Sequence, residues 1–591
     1  METNRSIKRR QQYDLEDGKD DLQRVEFKKL TQQSLSGDGG QISLHLLLAV
    51  FVMCLLAFSG LGLIVAGVIN WPNPPEIPLI ESRRIVGGAA STTRHVVGVD
   101  KGSKSMPAMA TTNTNTTTTK KLLDGLLSSE FDEQSSCVSR YESALIRKES
   151  QHKPSGYLQE RLRKYEALHK KCGAYTELYN QSVRHMKSND STENDDTECK
   201  YLVWISYSGL GNKILSLTSA FLLALLSNRV LLIDNGGTDM SSLFCEPFPN
   251  VSWILPLDFN LKQFDKKSPY SYGNMVKNKV IDDAAIGVLP GYVYVHLSHD
   301  YEEEDKLFFC EQDQLLLQKI PWMLLRSNNY FVPSLFLIPA YEDELKWLFP
   351  KKDTVFHHLG RYLFHPTNSV WGLISRYYQA YLAKADERLG IQIRIFDEGT
   401  GPFPYVMDQI FSCLSREKLL ADTDQTNQMV STKVIGKSKA VLVTSLTPGY
   451  SERLKEMYWE HPTWNGDAVS VYQPSQEDHQ QIENHSHNMK AWAEIYLLSL
   501  TDELVTSSWS TFGYVAQGLG GLTPWIMTKP VNRTTPDPPC KQAMSMEPCF
   551  HAPPFYDCKA KRGIDTGAIV PHVRHCEDMT WGLKLVDRNQ W

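Results

Sequence analysis

The sequence predicts two doubly wound α/β units in series, placed behind a single membrane span and an exposed stem. Three observations carry this. One uncharged apolar run near the N-terminus, Leu46 to Ile69, is long enough for a helix to cross a bilayer. From Tyr201 the chain reads strand, glycine-containing loop, helix, strand, which is a β-α-β unit and implies a parallel sheet. Beyond about Leu389 a second alternation of short apolar strands and helical stretches begins.

The N-terminal segments come first. Residues 1–43 are polar and mixed in charge, a cytosolic tail. Residues 44–69 form the signal-anchor. Its core, LLLAVFVMCLLAFSGLGLIVAGVI, is apolar on every face, unlike an amphipathic core helix. It exceeds the ~20 residues that span ~30 Å of hydrocarbon. It is also too long and too far from the N-terminus for a cleaved signal peptide. Trp71 and Pro72 follow as interfacial anchor and helix stop.

Lys8, Arg9, Arg10, Arg24, Lys28 and Lys29 precede the span, against Arg83 and Arg84 after it, so positive charge favours a cytosolic N-terminus. The sequons at Asn115, Asn180, Asn189, Asn250, Asn484 and Asn532 all follow the span, where a lumen would glycosylate them. Asn4-Arg-Ser precedes it. Of 11 cysteines, Cys54 lies in the span and the other ten follow it, an even number as lumenal disulfides require. Their pairing is not deducible, though Cys540, Cys549, Cys558 and Cys576 crowd the C-terminus as a staple.

Residues 70–135, with PNPPEIP and TTNTNTTTTK, cannot bury enough apolar surface to fold and read as a disordered stem. The N-terminal domain covers 136–365 and opens with a helical neck from Ser136 to Lys171. It continues through YLVWI, the helix KILSLTSAFLLALLSN, RVLLID and YVYVHL. The C-terminal domain covers 366–591. After a long helix ending near Leu389 come strands GIQIRI, AVLVTS, AVSVYQ, ELVTS and PWIM, with helices at Pro404 to Leu420, Ser451 to His461, Asn488 to Leu500 and Thr511 to Leu519. Two Rossmann-like domains facing a cleft make the GT-B architecture. Ligands of such sheets sit beyond the carboxyl ends of the strands.

Composition narrows the function. A net charge of −6 and the lack of a basic stripe exclude nucleic acid as a partner. Aromatic residues are 10% of the chain, which suits a surface that stacks on sugar rings and equally suits an ordinary core.

Four loops carry candidate chemistry. Gly209-Leu210-Gly211-Asn212-Lys213 follows a strand and opens a helix, where free N–H groups and the helix dipole attract phosphate. It lacks the Lys-Ser/Thr ending of a P-loop and the third glycine of a dinucleotide fingerprint, so a plain tight turn stays open as the alternative. Arg394 sits in GIQIRI on a strand that should be apolar; it is either a diphosphate clamp or half of a buried ion pair. The run Thr506 to Tyr514, TSSWSTFGY, offers hydroxyls and N–H groups at another helix start, for capping or for phosphate and ribose. Pro571 to Asp578 gathers His572, Arg574, His575, Glu577 and Asp578 beside Cys576, as an acid–base cluster or a solvated tail. Asp422-Thr423-Asp424 has the form of a divalent-ion motif but follows no strand, and no zinc pattern occurs, so no metal is expected.

The blocks GLGNKILSLTSAFLLALLSNRVLLID, GIQIRIF, SSWSTFGYVAQGLGGLTPWIM and PHVRHCEDMTWGLKLV resemble the plant xyloglucan-type galactoside 2-alpha-L-fucosyltransferases, from about Tyr201 to Val586. The resemblance implies a type II Golgi membrane enzyme of GT-B fold. Such an enzyme transfers L-fucose from GDP-fucose to the 2-hydroxyl of a terminal galactose, with inversion and without a metal or other cofactor. Its partners are GDP-fucose, a galactose-terminated polysaccharide and the membrane; stem and neck permit a homodimer. Carried onto these positions, Arg394 grips the diphosphate. Ser508, Ser510, Thr511, Phe512 and Tyr514 line the donor pocket. Gly209, Gly211 and Asn212 face the donor phosphates from the other domain, and Asp578 is the acidic residue near the acceptor. Lys213 stands where the family pattern leads one to expect arginine. Acceptors other than xyloglucan, such as arabinogalactan-protein glycans, and a non-catalytic glycan-binding protein remain alternatives.

Overall fold

The inner strands of both sheets in the computed structural model follow from largely apolar runs in the sequence. The structure describes residues 122–131, 134–188, 198–236, 239–280, 289–396, 401–423 and 436–587. The expected tail, span and most of the stem lie outside these, as do Asn115, Asn189 and Asp424. Among the described residues no helix is long and apolar enough to cross a membrane.

Three helices open the fold: α1 (Ser139–Ile146), α2 (Gly156–Cys172) and α3 (Glu177–Ser188). They are followed by β1 (Tyr201–Ile205), α4 (Leu210–Leu226), β2 (Val230–Ile233), β3 (Tyr292–His296) and β4 (Trp322–Arg326). The four strands form one parallel sheet in the order β2-β1-β4-β3. The expected neck is built into this domain. Tyr165 on α2 donates its hydroxyl to the Arg229 carbonyl at 2.8 Å and accepts from Leu231 N–H at 2.9 Å, and His169 meets the Leu231 carbonyl at 2.9 Å. These side chains satisfy the open edge of β2, which would otherwise offer unpaired backbone groups to another chain.

Two helices, α5 (Val355–Leu363) and α6 (Asn368–Tyr377), lead to the second sheet. The helical stretch ends at Leu382 rather than near Leu389, because β5 (Glu387–Ile393) begins earlier, pairing with one neighbouring strand from Glu387 and with the other from Leu389. Next come α7 (Pro404–Arg416), β6 (Ser438–Ser445), α8 (Gly449–Glu460), β7 (Ala468–Tyr472), α9 (His485–Leu498), β8 (Glu503–Ser507), α10 (Thr511–Gly520), β9 (Trp525–Met527) and β10 (Cys540–Gln542). The sheet order is β10-β9-β8-β5-β6-β7, parallel except for β10. Ile391, Ile393, Val441, Val443 and Val505 form its core with Met407 and Ile410 of α7.

Helix α4 is buried along nearly its whole length. An all-apolar helix demands this, and here it is met by contact with α5, α9 and α10, so α4 packs against helices of both domains. The C-terminal segment holds two small hairpins, β11 (Tyr556–Asp557) with β12 (Arg562–Gly563) and β13 (Val573–His575) with β14 (Leu583–Leu585). Only one of its disulfides is internal, Cys549–Cys576. Cys540 bonds to Cys413 on α7, and Cys558 bonds to Cys310 of the first domain. Cys137–Cys245 and Cys172–Cys199 complete the set among the described residues.

Candidate active site

Both sheets reverse direction of winding at a strand pair, and the candidate residues gather at those two points. In the second sheet the chain winds from β5 through β6 to β7 on one side and continues from β8 to β9 on the other. The crevice lies beyond the carboxyl ends of β5 and β8. Arg394 follows β5 directly, and its N–H donates to Ser507 Oγ at the end of β8 at 2.9 Å. The strand pair is further stitched by Gln392, whose Oε1 accepts from Thr506 Oγ1 at 2.9 Å. The guanidinium is half-buried, lies over the Phe396 ring at 5.3 Å, and donates to Gln480 Oε1 at 3.2 Å. The first sheet has its reversal between β1 and β4, which places the Ser208-Gly209 turn beside Ser327-Asn328-Asn329.

The turns into α4 and α10 share a feature. Ser208 has φ 69° and Trp509 φ 64°, each a non-glycine residue held in the left-handed region just before a helix start. Such a conformation persists only where the surroundings enforce it. The two helix starts meet. Thr511 Oγ1 donates to Asn212 Oδ1 at 3.2 Å, and Asn212 Nδ2 donates to the Asn328 carbonyl at 3.1 Å. The positive ends of two helix dipoles thereby converge beside Arg394, a field suited to a polyanion. Lys213 adds a buried amine whose pKa burial pushes down to about 8, against the opposing pull of Glu483 and Asp234.

The predicted hydroxyls divide. Ser508 Oγ donates to the Met527 carbonyl and so serves the sheet. Ser510 Oγ caps α10 by accepting from Gly513 N–H at 3.4 Å. Thr511 and Phe512 are half-buried on the first turn. Tyr514 is fully buried and turns to the tail: its hydroxyl donates to Asp578 Oδ2 at 2.5 Å and meets His551 Nε2 at 3.2 Å. Asp578 Oδ2 also accepts from Trp509 N–H at 2.9 Å, while the indole N–H donates to the Asp578 carbonyl at 2.6 Å. The strained Trp509 turn is thus fixed by Asp578, and Lys529 Nζ covers the indole at 3.7 Å. Asp578 Oδ1 is shielded from solvent and has no hydrogen-bond partner.

Polar groups also line the ends of β3 and β4. Asp300 accepts from His296 Nε2 and Lys266 Nζ, each at 2.8 Å, which together hold its carboxyl well below the usual range. Asn328 Nδ2 meets His299 Nδ1 at 2.9 Å, and Arg326 lies over Tyr207 at 4.2 Å.

Four sequon asparagines, Asn180, Asn250, Asn484 and Asn532, are exposed. Among the described residues the one cluster with metal-ligand spacing is Cys549, Cys576 and Asp578, whose two sulfurs are bonded to each other. Sequence reading missed Gln480, Asn328, His551 and Lys529, and it took Ser507 as one hydroxyl of the Thr506 to Tyr514 run rather than as the partner of Arg394 N–H. Only the Ser-Asn-Asn run closing β4 carried a signal, as polar residues ending a buried strand.

Two Rossmann-like sheets with adjoining switch points define a GT-B protein. Residues 94–559 match the xyloglucan fucosyltransferase family, and the chain belongs to it. It is 61% identical over 471 residues to a galactoside 2-alpha-L-fucosyltransferase of Pisum sativum, covering 79% of this chain and 82% of that one. It is 56% identical over 567 residues to the protein of the same name from Arabidopsis thaliana, covering 95% and 96%. Among solved structures it resembles an arginine-to-lysine mutant of Arabidopsis thaliana FUT1 in complex with GDP, at 60% identity and a TM-score of 0.74, over 79% of this chain and 100% of that one.

Proposed function

We infer that this chain is a galactoside 2-alpha-L-fucosyltransferase that moves L-fucose from GDP-fucose to the 2-hydroxyl of a terminal galactose on a xyloglucan side chain, with inversion. The observation that carries this is family membership together with 56% identity to a relative of that name over nearly the whole chain.

In the transfer, the bond between fucose C1 and the β-phosphate oxygen breaks as the galactose O2 bonds to C1 from the opposite face. The hydroxyl proton leaves to a base, and GDP departs with the electron pair. Negative charge therefore grows on the diphosphate. Arg394 and the N–H groups at the starts of α4 and α10 are donors for that charge, and fixed donors aimed at developing charge are usually the largest catalytic contribution. They take the part a divalent ion plays in other transferases, so the reaction runs without a metal. Asp578 is the base: Oδ2 is held by Trp509 and Tyr514, and transfer of the galactose proton to the shielded Oδ1 requires acceptor binding to open a path to it. Tyr207, His299 and Arg326, at the carboxyl ends of the first sheet, are the acceptor-side groups.

The apolar run Leu46 to Ile69, the sequons after it and the disulfides support a type II Golgi membrane protein with its catalytic part in the lumen. Stem and first helices permit a homodimer.

The test is GDP release by the full chain in detergent with GDP-fucose, with and without EDTA, on xyloglucan and on arabinogalactan. EDTA-resistant transfer to xyloglucan is expected. Transfer to arabinogalactan alone would keep the reaction and change the acceptor; GDP binding without transfer to either would point to a glycan-binding protein.

A further inference from the structure

The loop from β7 to α9 is tied at both ends. Gln473 Nε2 donates to the carbonyls of Ser445 at 3.1 Å and Ser475 at 2.9 Å. Ser475 N–H and Oγ donate to the buried Glu494 carboxyl at 3.0 and 2.6 Å. At the far end Asn484 caps α9 by accepting from His487 N–H at 3.1 Å, and Asn488 Nδ2 donates to the Ile482 carbonyl at 2.9 Å. Between these anchors Gln480 reaches the junction of the two domains.

Its amide orientation is fixed by chemistry. Arg394 has only donors, so the Gln480 oxygen faces it, at 3.2 Å from the guanidinium nitrogen. The amide nitrogen then faces the start of α4, where a Cβ placed on Gly209 would lie 2.7 Å from Gln480 Nε2. A side chain at 209 would have to push this amide aside, so the bridge in this form uses the space that Gly209 leaves. Gln480 is exposed and belongs to neither core, so this bridge has no packing role.

We propose that Gln480 is a positioning residue for the donor diphosphate. Its carbonyl orients Arg394, and its NH2 group presents further donors at the α4 start. This rests on the reading of the chain as a GDP-fucose-dependent transferase. A neutral amide fits this role because it aligns the guanidinium without neutralising it. A carboxylate at this position would pair with Arg394 and repel the diphosphate.

The experiment compares wild type, Gln480→Ala and Gln480→Glu in the full chain. GDP binding is read by calorimetry, donor and acceptor KM and kcat by GDP release, and folding by Tm. A hydrogen bond to a charged group lost in Gln480→Ala should raise the GDP Kd and donor KM about tenfold. Gln480→Glu should raise them at least about tenfold further, since like charges set side by side cost several kcal/mol. Acceptor KM and Tm should hold, because the side chain packs in no core. Wild-type Kd and donor KM in both variants would overturn the proposal while leaving the transferase reading intact. Equal losses in both variants, or losses that track Tm, would also overturn it. Failure of the wild type to bind GDP would sink that reading and the proposal with it.

Discussion

Gly211 and Thr511 stand in direct apposition: a Cβ added to Gly211 would lie 2.6 Å from Thr511 Oγ1 and 2.9 Å from its carbonyl carbon. The second contact is with backbone, so no rotamer change relieves it. Gly211→Ala should push the starts of α4 and α10 apart. Overpacking of this kind costs about 1–3 kcal/mol, and the donor KM should rise because the N–H groups of the two helices no longer face one ligand. Thermal denaturation and donor titration check both; an unchanged Tm with an unchanged KM would show that the junction is loose.

Arg394 owes its place to a strand end and its orientation to side chains of other segments. Its N–H is held by Ser507, its guanidinium by Gln480. Lysine keeps the charge but loses the planar fork. Arg394→Ala should lower kcat/KM for GDP-fucose about 10²–10³-fold, as removal of one preorganised donor does elsewhere. Arg394→Lys should recover only part of it, with acceptor KM unchanged in both. A loss under about tenfold for Arg394→Ala would take this residue out of the diphosphate seat.

Asp578 and Tyr514 make a paired prediction. If Oδ1 of Asp578 receives the galactose proton, Asp578→Asn should lower kcat about 10²–10⁴-fold with GDP affinity kept. Near-normal turnover would exclude an essential base and leave Asp578 as the anchor of the Trp509 turn. Tyr514→Phe removes one of the two donors that hold Oδ2, the other being Trp509 N–H. It should lower kcat less than Asp578→Asn does, with GDP affinity kept, because the carboxylate loses an anchor and stays in place; an unchanged kcat would show that the Trp509 N–H alone positions it.

The sequence reveals β1, β5 and β8 because buried parallel strands are nearly continuous apolar runs. It reveals Arg394 for the same reason, as a cation that such a run cannot hide. The glycines at 209 and 211 are visible as a turn before a helix, though nothing local says that Gln480 and Thr511 fill the space they leave. Ser508 and Ser510 show the limit from the other side: the hydroxyl that serves a ligand also serves a sheet carbonyl or a helix cap, and only the fold decides which. Tyr514 faces the tail because α10 turns it there, and the tail reaches it by a path no periodicity encodes. Cys558 bonds to Cys310, 248 residues away, which no spacing rule predicts.

That same tail carries Glu547, fully buried between the domains. Its Oε1 accepts from Phe356 N–H at 2.7 Å near the start of α5, and Oε2 lies 2.5 Å from the Tyr330 hydroxyl. Burial pushes its carboxyl up to about 8, despite the Tyr330 contact, which acts in the opposite direction. In the folded protein the group holds its proton at neutral pH, whereas in the unfolded chain it releases it near the ordinary value of 4.5. Between those values the native state binds one proton more than the unfolded state, so stability falls as pH rises, by at most about 1.4 kcal/mol per unit from this group. Below the unfolded value the loss is absent. Glu547→Gln keeps an acceptor for Phe356 and a donor for Tyr330 and carries no proton to lose. It should therefore match wild type near pH 5 and exceed it in stability at pH 8. Denaturant titrations at the two pH values measure this, and a wild-type slope retained in the glutamine variant would show that Glu547 is ionised in the folded protein.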